Sequence, residues 1–151
     1  MVPGGYKKIK KEVNISGRCT FDYIQDVGLV SGERILLVED DDIIAKVTDW
    51  RLKKLGYEVC GRAVSAAEAM DLVVKSIPDL VLMDINIKGD IDGIETANMI
   101  KKGFNIPVIY VTSHSDGPTI ERARETKPDG FIVKPFEDND LRVAIELALK
   151  K

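Results

Sequence analysis

Acidic, hydroxyl and lysine side chains follow short apolar runs at four places in this chain of 151 residues. Glu39 and Asp40 come directly after one such run, and Asp84 comes directly after another. At the other two places stand Thr112, Ser113 and Lys134. Three carboxylates gathered within about 5 Å repel one another by roughly a few kcal/mol per pair at an effective dielectric near 20. We therefore expect a divalent cation to balance the acids, and the space between this cation and Lys134 suits an anion such as a phosphoryl group.

The available donor atoms favour Mg²⁺ over zinc in such a site. Carboxylate oxygens with room for water suit Mg²⁺, whereas zinc sites usually contain histidine or cysteine. The chain has one histidine, His114, and its two cysteines, Cys19 and Cys60, show no spacing typical of a metal site. His114 is predicted to be a loop residue, with control of water access to the site as the alternative role.

The elements that position these side chains can be read from the pattern after Arg34, where strand and helix signals alternate five times. The predicted strands cover residues 35–38, 58–63, 80–83, 108–111 and 130–133. The predicted helices cover about 44–55, 65–74, 92–102, 118–126 and a last segment from 138. This alternation predicts an α/β domain with a parallel sheet and helices on both faces. Because the carboxyl ends of parallel strands lie at one edge, we expect the polar residues to meet there.

Composition indicates one domain with a single core, because 44% of the residues are hydrophobic in a chain too short for two ordinary domains. The net charge is −3, and a mildly acidic domain argues against a nucleic-acid-binding surface. No apolar run approaches the length needed to span a membrane, and the N-terminus lacks the apolar core of a signal peptide. The cysteines form no disulfide framework. We therefore expect a cytoplasmic protein that binds neither nucleic acid nor a membrane.

Residues 1–33 differ from the rest of the chain. They contain a lysine cluster and frequent Gly and Ser, with one apolar patch at Phe21, Ile24 and Val27 that predicts a helical turn or two. We interpret this segment as an extension or linker, disordered or docked on the domain, and residues 34–151 as the functional domain. Since no output domain follows Lys151 in the sequence, we expect either a stand-alone domain or one cut from a longer protein.

The residues at the strand ends, taken together, resemble the receiver domain of two-component response regulators. The set consists of Glu39, Asp40, Asp84, Thr112, Lys134 and Pro135, in that order along the chain. The resemblance covers about residues 33–151. It implies a flavodoxin-like (βα)5 fold, a doubly wound parallel sheet of five strands in the order 2-1-3-4-5, an order known from flavodoxin and from a receiver domain.

The resemblance also implies a phosphorylation site. Asp84 would accept a phosphoryl group from a sensor histidine kinase or a phosphotransfer protein. Asp40, Asp84 and the backbone carbonyl of Asn86 would hold Mg²⁺, and Glu39 would support the ion through water. The domain would then be a signalling switch, with intrinsic phosphotransfer and autodephosphorylation as its only reactions.

Four further residues are given roles by the same resemblance. Thr112 and Lys134 would contact the phosphoryl oxygens, and Phe131 stands where the family has its switch aromatic residue. The bond before Pro135 would be cis. Phosphorylation would then change a face made by the fourth helix, the fifth strand and the fifth helix, which would bind an unidentified partner or a second copy of the chain.

Several of these residues also fit plainer structural roles. Phe131 has the pattern of a core residue. Asp41 and Asp42 are typical of acids at the start of a helix. Trp50 and Tyr57 are predicted to be packing residues without a role in the site.

Two functions of other classes stay open. One is a phosphohydrolase with an aspartyl nucleophile, but the best-known such family needs a second Asp two residues after the nucleophile, where this chain has Asn86, and the missing general acid disfavours this alternative. The other alternative is an interaction module on the same fold that does not depend on phosphorylation. The loop after Asp84 also departs from the family, because it lacks a Met-Pro pair and has one residue more before Asp92 and Gly93.

Overall fold

The computed structural model describes residues 6–13, 19–25, 32–113 and 117–150, the first two ranges by their backbone alone. The strands are β1 Tyr6–Val13, β2 Cys19–Gln25, β3 Arg34–Val38, β4 Glu58–Ala63, β5 Leu80–Asp84, β6 Val108–Thr112 and β7 Gly130–Val133. The helices are α1 Asp42–Lys54, α2 Ala66–Ser76, α3 Gly93–Phe104, α4 Gly117–Glu125 and α5 Asp138–Leu149. Strands and helices therefore alternate from β3 to α5, as predicted.

The main sheet has five parallel strands in the order β4-β3-β5-β6-β7. Counted along the chain from β3, this order is 2-1-3-4-5, and the predicted flavodoxin-like fold is confirmed. Asp84 pairs with Val111, and Thr112 pairs with Val133, so the last residues of these strands lie in register at one edge of the sheet.

The core lies on both faces of this sheet because successive strand residues point to opposite faces. On β3, Ile35 and Leu37 pack in one cluster with α1 and α5, while Leu36 and Val38 pack in the other with α2, α3 and α4. Burial on both faces explains why the strand sequences are continuous apolar runs without polar alternation.

Three helices begin with an acid or serine that caps the first turn. Asp41, Ser65 and Asp92 each accept a hydrogen bond from a backbone N–H in the first turn of α1, α2 and α3, respectively. The predicted caps at Ser65 and Asp92 are confirmed. Asp41 and Ser65 come within three residues of the ends of β3 and β4, whereas Asp92 follows a longer loop after β5.

The start of α5 differs from the prediction by one residue. The N-cap is Glu137, whose backbone N–H donates to the Asp140 carboxylate at 2.9 Å. Asp138, predicted as the cap, is instead the first helical residue, and its carboxylate forms ion pairs with Arg51 and Lys54 of α1. Both partners of Asp138 lie far away in sequence, so local spacing did not reveal its role.

The prediction of a helical turn near Phe21 and Ile24 is wrong. Both residues lie in β2, which pairs antiparallel with β1 in a separate two-stranded sheet. Val27 lies outside the described residues. The strand is stabilised by pairing with a segment earlier in the chain, and such pairing leaves no helix-like or turn-like signal in β2 itself.

The two aromatic residues predicted to pack have different surroundings. Tyr57 is buried in the cluster between the sheet and α1 and α5. Trp50, by contrast, is 61% exposed on α1, where the Lys54 ammonium lies 4.5 Å from its ring centroid. The packing role predicted for Trp50 is therefore wrong.

Among the helices of the described residues, none has the length and apolar character needed to cross a membrane.

Gly93 brings α3 unusually close to the end of β5. A Cβ atom placed on Gly93 would lie 2.1 Å from the carbonyl oxygen of Asp84 and 2.8 Å from the Cα of Ile85. The Gly93 N–H also donates to the carbonyl of Ile85 at 2.9 Å. Because both neighbouring atoms belong to the backbone, a side chain at position 93 would displace the segment that carries Asp84.

We expect Gly93→Ala to lower the free energy of unfolding by roughly 2–3 kcal/mol, since overpacking against backbone cannot be relieved by a rotamer change. The matched control is Gly103→Ala in the same helix, where an added Cβ meets nothing within 4 Å. That control should raise stability by about 0.5–1 kcal/mol, because alanine favours a helix over glycine. Urea denaturation followed by circular dichroism measures both, and equal effects of the two variants would contradict the prediction.

Candidate functional site

Three carboxylates come together at the edge where the strands end. Glu39 and Asp40 follow β3, Asp84 ends β5, and one carboxylate oxygen from each lies within 4.8 Å of the others. Glu39 is 3% exposed and Asp84 6% exposed, so two of the three are nearly removed from water. Like charges held this close in a buried position destabilise one another unless a cation offsets them.

Lys134 supplies one such cation. It follows β7, and its Nζ lies 2.9 Å from Glu39 Oε1 and 3.4 Å from Asp84 Oδ2. Burial by itself lowers the pKa of Lys134, but the hydrogen bond to Glu39 and the charge of Asp84 outweigh it, so the pKa is raised. Lys134 is therefore protonated beside the acids.

Asp84 is the carboxylate most perturbed by this environment. Burial raises its pKa, the neighbouring Glu39 raises it further, and the result is a pKa of about 7. The Asn86 backbone N–H, which donates to Asp84 Oδ1 at 3.0 Å, and the charge of Lys134 act in the opposite direction. One lysine thus offsets only part of the repulsion among the acids.

The loop that carries Lys134 is held by α1. The bond between Lys134 and Pro135 is cis. Next to it, the Arg51 guanidinium donates to the Phe136 carbonyl, lies 5.3 Å from the Phe136 ring centroid, and pairs with Asp138 at 3.6 Å. Arg51 therefore links the helix after the acidic pair to the loop that carries the lysine.

Thr112 and Phe131 lie on the strands beside this site. Thr112 is fully buried at the end of β6, and its carbonyl accepts a 2.7 Å hydrogen bond from the Lys134 N–H. Phe131 is half-buried on β7 and meets the Tyr110 ring edge-on, with centroids 5.9 Å apart. The Tyr110 hydroxyl in turn lies 2.7 Å from Thr126 Oγ1, at the end of α4. Phe131 therefore packs against the core and is linked to the end of α4 through Tyr110.

One residue at this edge escaped the sequence analysis. Arg62 on β4 donates from Nε to the Glu39 carbonyl at 2.9 Å and from Nη1 to Asp42 at 2.7 Å. This hydrogen bond and the positive charge of Arg62 lower the pKa of Asp42. Arg62 stands near the end of the second predicted strand, so its position at a strand end could have identified it as a residue of this edge. His114 lies outside the described residues.

The Response regulator receiver domain family matches residues 35–146 of the chain. The chain belongs to this family. The matched range begins in β3 and ends in α5, so it includes the whole acidic site and Lys134. The resemblance inferred from the strand ends is thereby confirmed, and the chain contains the receiver domain of a two-component response regulator.

Curated relatives of this receiver domain include transcriptional regulators. The transcriptional regulatory protein PdtaR of Mycobacterium tuberculosis is 36% identical over 118 residues, which are 78% of this chain and 57% of that protein. The probable transcriptional regulator ycf27 of Guillardia theta is 31% identical over 137 residues, 91% of this chain and 51% of the relative. The chain thus spans about half the length of these relatives.

Solved structures agree with the fold. The signal receiver domain of a modulated diguanylate cyclase from Desulfovibrio desulfuricans has a TM-score of 0.76 at 35% identity, covering 79% of this chain and 94% of that one. A CheY-like response regulator receiver domain protein from Methanospirillum hungatei has a TM-score of 0.72 at 30% identity, covering 80% and 95%. Both solved structures therefore share the fold of this receiver domain.

The acidic cluster of this receiver domain fits a magnesium ion. Receiver domains generally bind Mg²⁺ at an acidic pocket, and Glu39, Asp40 and Asp84 form such a pocket here. All of its side-chain donors are oxygens, which Mg²⁺ prefers. The three acids face one lysine, so a divalent cation would offset the repulsion by Glu39 that adds to the effect of burial on the Asp84 pKa. The role of the Asn86 carbonyl as a ligand stays a prediction, since the structure places its N–H, rather than its carbonyl, against Asp84.

The raised pKa predicts that ionised Asp84 destabilises the metal-free protein. The Asp84 carboxyl binds a proton more tightly in the folded state than in the unfolded chain, where its pKa is near 3.8. Asp84 therefore favours folding at low pH, and this contribution is lost as the pH rises from about 4 to about 7. Asp84→Asn should accordingly raise the free energy of unfolding at pH 8 in the presence of a chelator, and the gain should shrink toward pH 4.

Urea denaturation at several pH values measures this difference between wild type and variant. The matched control is Asp71→Asn, since Asp71 is exposed on the surface of α2, where it pairs with Lys75 in the next turn. This control should change stability by less than about 0.5 kcal/mol at either pH. A gain for Asp84→Asn that does not depend on pH would contradict the prediction.

Proposed function

We propose that this receiver domain accepts a phosphoryl group on Asp84 in a magnesium-dependent reaction, with a histidine kinase or a phosphotransfer protein as the donor. The observation that carries the proposal is the position of Asp84, nearly buried between Glu39 and the Lys134 ammonium at the carboxyl edge of the sheet. Response regulator receiver domains interact with histidine kinases or phosphotransfer proteins as a family. The proposed unit is residues 34–151.

In the proposed reaction, a carboxylate oxygen of Asp84 attacks phosphorus and forms an acyl phosphate. The bond between phosphorus and the donor atom breaks, and the leaving group takes the electron pair of that bond. Asp84 must be ionised to attack, and Lys134 favours the ionised form. When bound, Mg²⁺ neutralises charge on the acids and on the transferring group.

Two residues are proposed to receive the phosphoryl oxygens. Lys134 already lies 3.4 Å from Asp84 Oδ2, so a group attached there would remain within reach of its ammonium. Thr112 ends the neighbouring strand, and its short, stiff side chain carries one hydroxyl donor. Stabilisation of charge by preorganised donors supplies most of the acceleration in phosphoryl transfer.

We further propose that phosphorylation changes the face formed by α4, β7 and α5. Phe131 connects the two regions, because it lies on β7 and contacts Tyr110, whose hydroxyl reaches the end of α4. On the surface beside it, apolar side chains of β7 and α5 line a groove of about 510 Å³. Val133, Val143 and Leu147 are exposed there. This face would bind an output partner or a second copy of the chain.

Intact-mass spectrometry tests the acceptor. After incubation with Mg²⁺ and acetyl phosphate, we expect the mass to rise by one phosphoryl group in the wild type and in the surface control Asp71→Asn. Asp84→Asn and a sample with chelator should gain nothing. No gain in wild type that is folded and binds Mg²⁺ would overturn the proposal in favour of a phosphorylation-independent module. Rapid consumption of acetyl phosphate without accumulation would favour a phosphohydrolase.

Hydrogen exchange tests the switch. With acetyl phosphate in excess, we expect altered exchange in residues 117–147 of the wild type, because the packing of Phe131 and α4 should change. Thr112→Val keeps the shape of the buried side chain but removes its hydroxyl, so it should gain the phosphoryl group without this change in exchange. Identical exchange before and after phosphorylation of the wild type would contradict the proposed switch.

A further inference from the structure

Arg62 is a basic side chain at the carboxyl edge of the sheet that contacts the backbone of the acidic segment. It lies on β4, and its Nε donates to the carbonyl oxygen of Glu39 at 2.9 Å. Its Nη1 donates to Asp42 Oδ1 at 2.7 Å, on the first residue of α1. A single guanidinium therefore spans the loop that contains Asp40, the acid closest to solvent in the site.

The bond from Arg62 replaces the sheet ladder where that ladder ends. The last register pair between β3 and β4 is Val38 with Ala63, and the Glu39 N–H still donates to the Ala63 carbonyl at 2.9 Å. On the other side of the same residue, the Glu39 carbonyl is held by Arg62. Because the carbonyl of Glu39 and the N–H of Asp40 belong to one rigid peptide plane, Arg62 limits the rotation of the plane that leads into Asp40.

The end of β4 also contacts the second acidic segment. Directly after the strand, Ser65 forms a parallel bridge with Lys88 in the loop that follows Asp84. The segment around residues 62–65 thus contacts both acidic loops. The Arg62 side chain binds the loop that carries Asp40, and the Ser65 backbone pairs with the loop that follows Asp84. Their relative position therefore depends on β4, although β4 contributes no carboxylate to the site.

The geometry of Arg62 is not explained by stability alone. Its third nitrogen, Nη2, is buried and has no hydrogen-bond acceptor among the described residues. A buried N–H without an acceptor destabilises the folded state, so this placement calls for another reason. Holding the acidic loop is such a reason, because metal ligands are commonly oriented by the hydrogen bonds of residues that do not touch the metal.

We propose that Arg62 is a positioning residue for the Mg²⁺ site: its hydrogen bond to the Glu39 carbonyl holds Asp40 where its carboxylate can join Glu39 and Asp84 at the ion. The inference rests on the proposed magnesium site. It opposes the simplest electrostatic expectation, because a guanidinium near the site repels a divalent cation and its removal should by itself tighten binding. The sign of the change in Mg²⁺ affinity therefore decides between positioning and charge.

Two neutral variants of equal length separate these effects. In Arg62→Gln, the side-chain amide nitrogen occupies the chain position of the arginine Nε, so it can still donate to the Glu39 carbonyl. In Arg62→Met, the side chain has similar length and no donor. Both variants lose the same charge. Any difference between them therefore reports the hydrogen bond to Glu39.

Titration calorimetry with MgCl₂ on the metal-free full chain is the measurement. We expect Arg62→Met to weaken Mg²⁺ binding about tenfold, the lower end of the effect of removing a residue that orients a ligand. Arg62→Gln should restore most of this loss. At saturating Mg²⁺, phosphorylation of Arg62→Met by acetyl phosphate should proceed at the wild-type rate, because Arg62 touches none of the reacting groups. Arg142→Met, which removes an exposed arginine of α5, should leave the affinity unchanged.

The outcomes are distinct. Equal affinities for the Met and Gln variants, or tighter binding by both, would overturn the inference and leave the magnesium site in place. A wild-type protein that binds no Mg²⁺ would overturn the site itself, and the inference with it. Circular dichroism checks that each variant is folded, and Arg62→Val, which also lacks a donor and favours a strand, supplies the same comparison if Arg62→Met is unstable.

Discussion

The site is governed by repulsion among three carboxylates held close together at one edge of the sheet. Glu39 and Asp84 are nearly buried, their carboxylate oxygens lie within 4.8 Å of one another and of Asp40, and Lys134 offsets only part of the repulsion. Burial is the main cause of the raised pKa of Asp84, and the neighbouring Glu39 raises it further. Carboxylates held this close bind added positive charge favourably, which fits the proposed magnesium ion.

The fold keeps the carboxylates close together despite their repulsion, because they lie at the ends of buried strands. Parallel strands deliver their carboxyl ends to one edge, and the apolar runs before each acid are buried on both faces of the sheet, so the strand ends have little freedom to separate. At Asp84 the absence of a side chain on Gly93 lets α3 pack directly against the strand. At Lys134, Arg51 links the loop to α1. Repulsion is thus opposed by packing at several points at once.

Local patterns predicted much of this arrangement. The five strands of the main sheet, the caps at Ser65 and Asp92 and the alternation of strands and helices follow from short-range spacing, and the structure contains them all. The predictions that failed concern residues whose surroundings are set elsewhere in the chain. The residues Phe21 and Ile24 lie in a strand paired with β1, and Trp50 projects into solvent from a helix whose other face is buried. The residues next to Phe21 and Ile24 do not show which strand β2 pairs with, and those next to Trp50 do not show which face of α1 is buried.

The sequence by itself determined which chemical groups reach the edge of the sheet, because an apolar run followed by an acid or a lysine places that group at a strand end. Only the tertiary structure decided how those groups interact. Burial makes Asp84 the carboxyl with the raised pKa, the Lys134 ammonium lies closer to Glu39 than to Asp84, and Arg62 reaches the backbone before Asp40. Burial and charge interactions sum contributions from strands and loops far apart in the chain, so spacing along the sequence does not reveal them.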